Sequence, residues 1–320
     1  MEKNAAGIPV RPLGNTGLQV SIIGFGGGHY CRPHLTEQES IGLVQAAVDQ
    51  GVSFMDNAWE YHNGTSEIRM GKALAAGGRR QQVTLMTKVC GRDRKTARTH
   101  LDESLQRLQT DVIDVWQFHE INYDNDPDWL FGPDGAIEAA EEARRAGKVR
   151  FIGFTGHKHP DLFKKMLQQG FDWDTCQMPT TVVDAHYRSF QKEVLPLLNE
   201  RGIGVIGMKS LGGDAQLVTD AGLTAQQCRN YALSLPISTL VCGIESQANL
   251  EQDLEIARNF QPLASEVRAQ LLEQVRDVAG DGRYEWFKST QYYDSGYHRE
   301  QHGFPPIGHV SGRFQQEKES

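Results

Sequence analysis

The amino-acid sequence predicts a (β/α)8 barrel, and three observations point there. Short apolar runs alternate with amphipathic stretches eight times along 320 residues. Such alternation implies βαβ units and a parallel sheet, and eight of them in this length favour a closed barrel over an open doubly wound sheet. The G-x-G-x-x-G turn that opens an open dinucleotide-binding sheet is missing: the first strand ends Gly24-Phe-Gly-Gly-Gly-His29, and no helix follows for several residues. Gly26 and Gly27 there are expected to let the backbone bend or approach a ligand closely.

Each unit can be read in order. A hairpin turning at residues 15–17 precedes the repeat. Residues 18–27 form the first strand and 36–50 a helix, opened by the capping-box pair Thr36 and Glu39. Strand 52–56 leads to a helix around 67–75, and strand 83–88 to helix 97–108, with Leu101, Leu105 and Leu108 on one face. Strand 112–119 is followed by helix 136–145, which Gly147 ends. Strand 149–155 and helix 160–169 make the fifth unit, with Pro160 in the first helical turn. Segments 176–178 and 194–200, 204–209 and 226–233, and 240–243 and 249–257 complete the set. No linker interrupts this series, so residues 1–320 read as one domain: a barrel over about 18–260, then a C-terminal helix at 265–279 and a tail within 261–320. The tail reads either as a loop folded over the barrel mouth or as an extended terminus, and its aromatic content favours packing over disorder.

Composition excludes several classes. A formal charge of -8 argues against a nucleic-acid partner. No apolar run is long enough for a bilayer, and the N-terminus lacks a secretory core, so a cytoplasmic protein without membrane contact is expected. The five cysteines form no C-x-x-C pair, which fits reduced thiols and predicts no metal or iron–sulfur site; His157 and His159 have no matching ligand spacing either. Oligomeric state is not encoded in any readable pattern.

Catalytic groups of such barrels stand where strands end. Asp56, Lys88 and His119 end the second, third and fourth strands, and Tyr61 lies five residues beyond Asp56. Lys88 closes an apolar strand, where an ammonium needs a partner such as Asp56. This set suits carbonyl reduction: hydride arrival creates an alkoxide that needs a proton, Tyr61 is the donor, and Lys88 with His119 is expected to lower its pKa. His119 would also orient the carbonyl. His29, Trp59, His62 and His157 follow strand ends and are candidates for the substrate pocket. Read singly, Asp56 and Lys88 make a rim ion pair and Tyr61 a loop aromatic; the quartet lifts them above that.

The segments FMDNAWEYHNGTSEIRMGKAL, LMTKV, LDESLQRLQTDVIDVWQFH, EEARRAGKVRFIGFTGH and GIGVIGMKSLGG, with RPLGNTGLQVSIIGFGGG before them, resemble the aldo-keto reductases over roughly residues 9–260. The resemblance implies the tetrad Asp56, Tyr61, Lys88 and His119, NAD or NADP as cofactor, and an aldehyde, ketone or sugar as the small-molecule substrate. It places the nicotinamide carboxamide on Thr155 and Gln177, with Gly156 where the family commonly has Asn. Met208 stands where an aromatic usually stacks on the nicotinamide, and Lys209, Ser210 and Leu211 match the pyrophosphate loop. Gly243, Glu245, Ser246 and Asn249 match the turn at the adenosine 2′ end, and Asp253 an adenine contact. That turn has no basic residue before Arg258, and a carboxylate suits a free ribose hydroxyl better than a 2′-phosphate. Two other functions fit the sequence: a nucleotide-binding regulatory barrel with little turnover, and a Schiff-base lyase using Lys88.

Overall fold

A computed structural model describes residues 1–305. Eight parallel strands close into a barrel: β3 (Ile23–Gly26), β4 (Phe54–Asp56), β5 (Thr84–Val89), β6 (Ile113–Phe118), β7 (Val149–Thr155), β8 (Thr175–Pro179), β9 (Gly204–Met208) and β10 (Thr239–Gly243), which pairs back with β3. The predicted (β/α)8 architecture is therefore present. One boundary differs. Residues expected at the start of the first barrel strand belong to the hairpin, where β1 (Val10–Pro12) pairs antiparallel with β2 (Gln19–Ser21). The Ser21 hydroxyl donates to the Ile23 carbonyl across this break.

The hairpin floors the barrel. Its Leu13 and Val20 join Phe54, Met86, Val115, Ile206 and Val241 in one buried cluster. These strand residues point inward, so the two-residue period of a strand also turns Asp56, Lys88 and Gln117 inward one layer higher. Outward neighbours such as Met55, Leu85 and Trp116 pack in the larger cluster with the helices. The first helix (Glu37–Asp49) carries both reciprocal bonds of the Thr36–Glu39 capping box.

Five short helices escape the sequence pattern: Phe190–Glu193, Gln216–Thr219, Asp126–Phe131, Trp286–Ser289 and Gly296–Gln301. The last two lie in the tail, which packs as expected as far as Pro305; its residues 306–320 fall outside the described residues. Lys288 anchors the tail, fully buried against Asp184 at 2.6 Å and Glu285 at 2.9 Å. Among the described residues no helix is long and apolar enough to cross a membrane.

Candidate active site

The inward mouth layer gathers the predicted tetrad. Lys88 Nζ bonds Asp56 Oδ1, donates to the Asn57 carbonyl at 2.8 Å and lies 3.5 Å from the Tyr61 hydroxyl. The Tyr61 ring meets the His119 ring edge-on, 5.5 Å between centroids. Tyr61 begins a short turn (Tyr61–Gly64) in which His62 and Asn63 adopt left-handed backbone, as do Glu120 after β6 and Lys209 after β9. Strained non-glycine residues thus cluster where three strands open into their loops.

Electrostatics depart from expectation at Tyr61. Burial, then Asp56, Glu60 and Glu120, hold its phenol well above the ordinary value rather than below it. The Lys88 ammonium lies close by, but the carboxylates around it and desolvation dominate. Burial also lowers His119, outweighing the nearby Glu60 carboxylate.

Glu60 is the main residue that the sequence reading missed. Its Oε1 sits 2.9 Å from His119 Nδ1, a hydrogen-bond separation without hydrogen-bond alignment. Its Oε2 accepts from Ser295 Oγ of the tail at 2.7 Å. Burial raises its pKa, but His119 and His298 prevail and hold it well below the usual carboxylate range. The adjacency Glu60–Tyr61 was the available signal, and the tail partners were not.

Positions expected to hold a cofactor line the same mouth. Thr155 and Gln177 are paired across β7 and β8, and Gln177 Nε2 reaches Asp56 Oδ2 at 3.4 Å. Gln177 Oε1 is buried and has no hydrogen-bond partner among the described residues, as a group awaiting an amide donor would be. A Cβ on Gly156 would sit 2.5 Å from the Ile121 carbonyl, so Asn is sterically excluded here. The same test explains Gly26 and Gly27, crowded by the carbonyls of Cys242 and Asp56 at 2.8 and 2.7 Å. These glycines serve strand packing, whatever else they do.

Met208 is half-buried at the end of β9. Lys209 turns its ammonium over the tail rings Tyr293 and Phe287, at 4.9 and 5.6 Å. Leu211 packs on the core, and Ser210 accepts from Arg229 Nη1 at 2.7 Å. Arg229 also forks onto Asp253 at 2.9 and 3.2 Å, so Asp253 is committed inside the protein. At the last turn Ser246 caps the helix Gln247–Arg258, and Asn249 Oδ1 accepts from the Glu245 amide. Glu245 itself pairs with Arg32 at 3.2 Å, and Arg32 lies 3.7 Å from Asp214. A cation therefore stands at this turn after all. It comes from the loop after β3, which sequence proximity hid.

The pocket candidates divide. His29 stands against Gly243, where a Cβ would meet its ring at 2.6 Å, and His62 Nε2 contacts the Gly28 carbonyl at 3.0 Å. Trp59 stacks on His100 at 3.5 Å and donates to Glu103, with its edge toward Tyr297. His157 is fully engaged by Asn122 and Asp294, at 3.2 and 3.1 Å. Both are wall residues that hold the tail.

The spacing-based expectation of no metal meets a cluster that spacing could not reveal. Donor atoms of Glu60, Cys90, His119 and His298 all lie within 4.8 Å of one another. Each comes from a different segment of the chain.

Comparison with known proteins places this geometry. L-galactose dehydrogenase of Arabidopsis thaliana is 31% identical over 321 residues, covering 85% of this chain and 96% of that protein. The 6-dehydroglucose reductase of Novosphingobium aromaticivorans is 33% identical over 157 residues, 45% of this chain and 50% of that one. In fold, the chain matches the holo form of the aldo-keto reductase AKR11C1 from Bacillus halodurans with a TM-score of 0.70 at 23% identity, covering 83% and 96% of the two chains. The model of the aldo/keto reductase family matches residues 22–271, the whole run of strands that carries the mouth layer. With that span and that architecture, the chain belongs to the aldo/keto reductase family.

Proposed function

We propose that this chain transfers a hydride between NAD(P)(H) and the carbonyl of an aldehyde, ketone or sugar, with Tyr61 donating the proton in reduction and accepting it in oxidation. One observation carries the reading: a buried ammonium, pinned by Asp56 and the Asn57 carbonyl, stands 3.5 Å from the Tyr61 hydroxyl. Thr155 and the unpartnered Gln177 Oε1 would hold the nicotinamide carboxamide, Met208 its ring, and Lys209, Ser210 and Leu211 the pyrophosphate. When bound, the nicotinamide supplies or accepts the hydride.

Tyr61 is protonated throughout the physiological range, so it enters reduction with its proton in place. As charge grows on the substrate oxygen the proton moves to it, and Lys88 stabilises the phenolate left behind. The His119 imidazole can donate a hydrogen bond to the same oxygen and orient it. Lys88 is held as a donor to a carboxylate and a carbonyl, which disfavours its use as a Schiff-base nucleophile. Two relatives named for sugars favour a polyhydroxylated carbonyl. All five cysteines are free and buried, which supports a reducing, cytoplasmic location.

Tyr61→Phe tests the reading. Turnover of a panel of aldehydes and sugars should fall at least about 100-fold while NAD(P)H affinity, measured by fluorescence, stays within about twofold. Undiminished turnover in Tyr61→Phe would remove Tyr61 from the chemistry. Nucleotide binding by the wild type with no turnover in either direction would favour a regulatory barrel.

A further inference from the structure

We infer that Glu60, Cys90, His119 and His298 form a binding site for a divalent transition-metal ion, best matched to zinc. The four contribute Glu60 Oε1, Cys90 Sγ, His119 Nδ1 and His298 Nε2. Three of these atoms, Glu60 Oε1, His119 Nδ1 and His298 Nε2, are buried without a hydrogen-bond partner among the described residues. A buried polar atom left unpaired costs about 1–3 kcal/mol, and three facing one another call for a shared partner. His298 Nε2 lies 3.9 Å from Glu60 Oε2 and 4.0 Å from Glu120 Oε2, beyond bonding distance of either.

The donor set fits zinc. One thiolate, two imidazoles and one carboxylate match its mixed N, S and O preference, and the two anions balance its charge in a buried place. Tetrahedral bonds of about 2.0–2.3 Å set donors roughly 3.3–3.8 Å apart. The four donors lie within 4.8 Å of one another, so the longest separations must close by up to about 1 Å while the Glu60–His119 contact at 2.9 Å opens by a few tenths of an ångström. On binding, the Cys90 thiol gives its proton to solvent and a sulfur–metal bond forms.

Outer contacts are in place as well. Ser295 Oγ holds the second Glu60 oxygen at 2.7 Å. Arg92 approaches His298 Nδ1 at only 3.4 Å, because its Nη2 already serves the carbonyls of His119 and Glu120 at 2.7 and 2.9 Å. With Nε2 on the metal the ring hydrogen moves to Nδ1, so this long Arg92 contact, which a guanidinium can make only as donor, must open. If the proposed hydride-transfer reading holds, a metal on His119 Nδ1 makes Nε2–H the stronger donor toward the substrate oxygen.

The test uses the full chain and zinc alone. After incubation with zinc sulfate and desalting, elemental analysis should give one zinc per chain. Competition with a chromophoric chelator should show affinity reduced at least about tenfold in Cys90→Ser and in His298→Ala. Cobalt(II) in the wild type should show a thiolate charge-transfer band that Cys90→Ser abolishes. This band keeps the test open should His298→Ala fail to fold. Substoichiometric zinc in the wild type, or both variants retaining wild-type affinity, would overturn the site. Tyr61→Phe should bind zinc normally, so loss of the metal site and loss of the hydride-transfer reading are separate outcomes.

Discussion

Gly156 shows how much one missing side chain can encode. The family pattern asks for Asn, and the sequence alone reads as a lost cofactor contact. The structure gives a cause: the loop after β6 runs so close that a Cβ would lie 2.5 Å from the Ile121 carbonyl and 3.0 Å from the Phe163 ring. Restoring the family residue with Gly156→Asn should therefore destabilise the protein by about 1–3 kcal/mol, as overpacking does. Urea denaturation would check it; unchanged stability would mean the loop yields freely. At this scale the placing of Asp56 and Lys88 at one mouth was legible, because alternation along β4 and β5 turns them and the layer around them inward. Glu60, Arg32, Arg92 and Arg229 were not, since each acquires its meaning from a partner at least two dozen residues away. The direction of the Tyr61 shift was misjudged for a related reason: adjacency to Lys88 can be read from a sequence, whereas the desolvation that outweighs it cannot.

Among elements, the tail carries most of what periodicity left unread. Its short helices lack a repeat long enough to register, yet Glu285, Phe287, Lys288, Asp294 and His298 are as buried as the core. Asp294 is the clasp: it faces His157 at 3.1 Å and Lys158 at 2.9 Å, and accepts from Tyr123 at 2.9 Å. Burial first, with Lys209 and Lys158 adding and Asp294 opposing, pushes the His157 imidazole down to about 3. In the unfolded chain it titrates at its ordinary value, near 6.5. A depressed folded value means that stability is fully present above about pH 6.5 and is lost as pH falls toward 3, because only the unfolded chain takes up the proton. Urea midpoints between pH 7 and 4 should fall more steeply for the wild type than for His157→Gln. Parallel slopes would show that the clasp does not titrate this way.

For the molecule as a whole, the barrel was legible from eight alternations, and the strand boundaries shifted by no more than a few residues outside the hairpin. What the sequence concealed is how the tail is tied in. Lys288 reaches Asp184 after β8, Ser295 reaches Glu60 after β4, and His302 reaches Asp126 after β6. Ties to three separate loops make the tail part of the barrel's cooperative unit, so the single-domain reading predicts one unfolding transition. Hydrogen exchange of the tail amides around Trp286 and far-ultraviolet dichroism should share a urea midpoint, and earlier opening of the tail amides would separate tail from barrel. The same threading has a consequence in time. Glu60, Tyr61 and Lys88 leave the ribosome in the first third of synthesis, while Ser295 and His298 emerge only after every strand of the barrel. The nascent chain carries Tyr61, the proposed proton donor, long before the tail partners of Glu60 arrive, so the last stretch of translation acts as the step that completes the mouth.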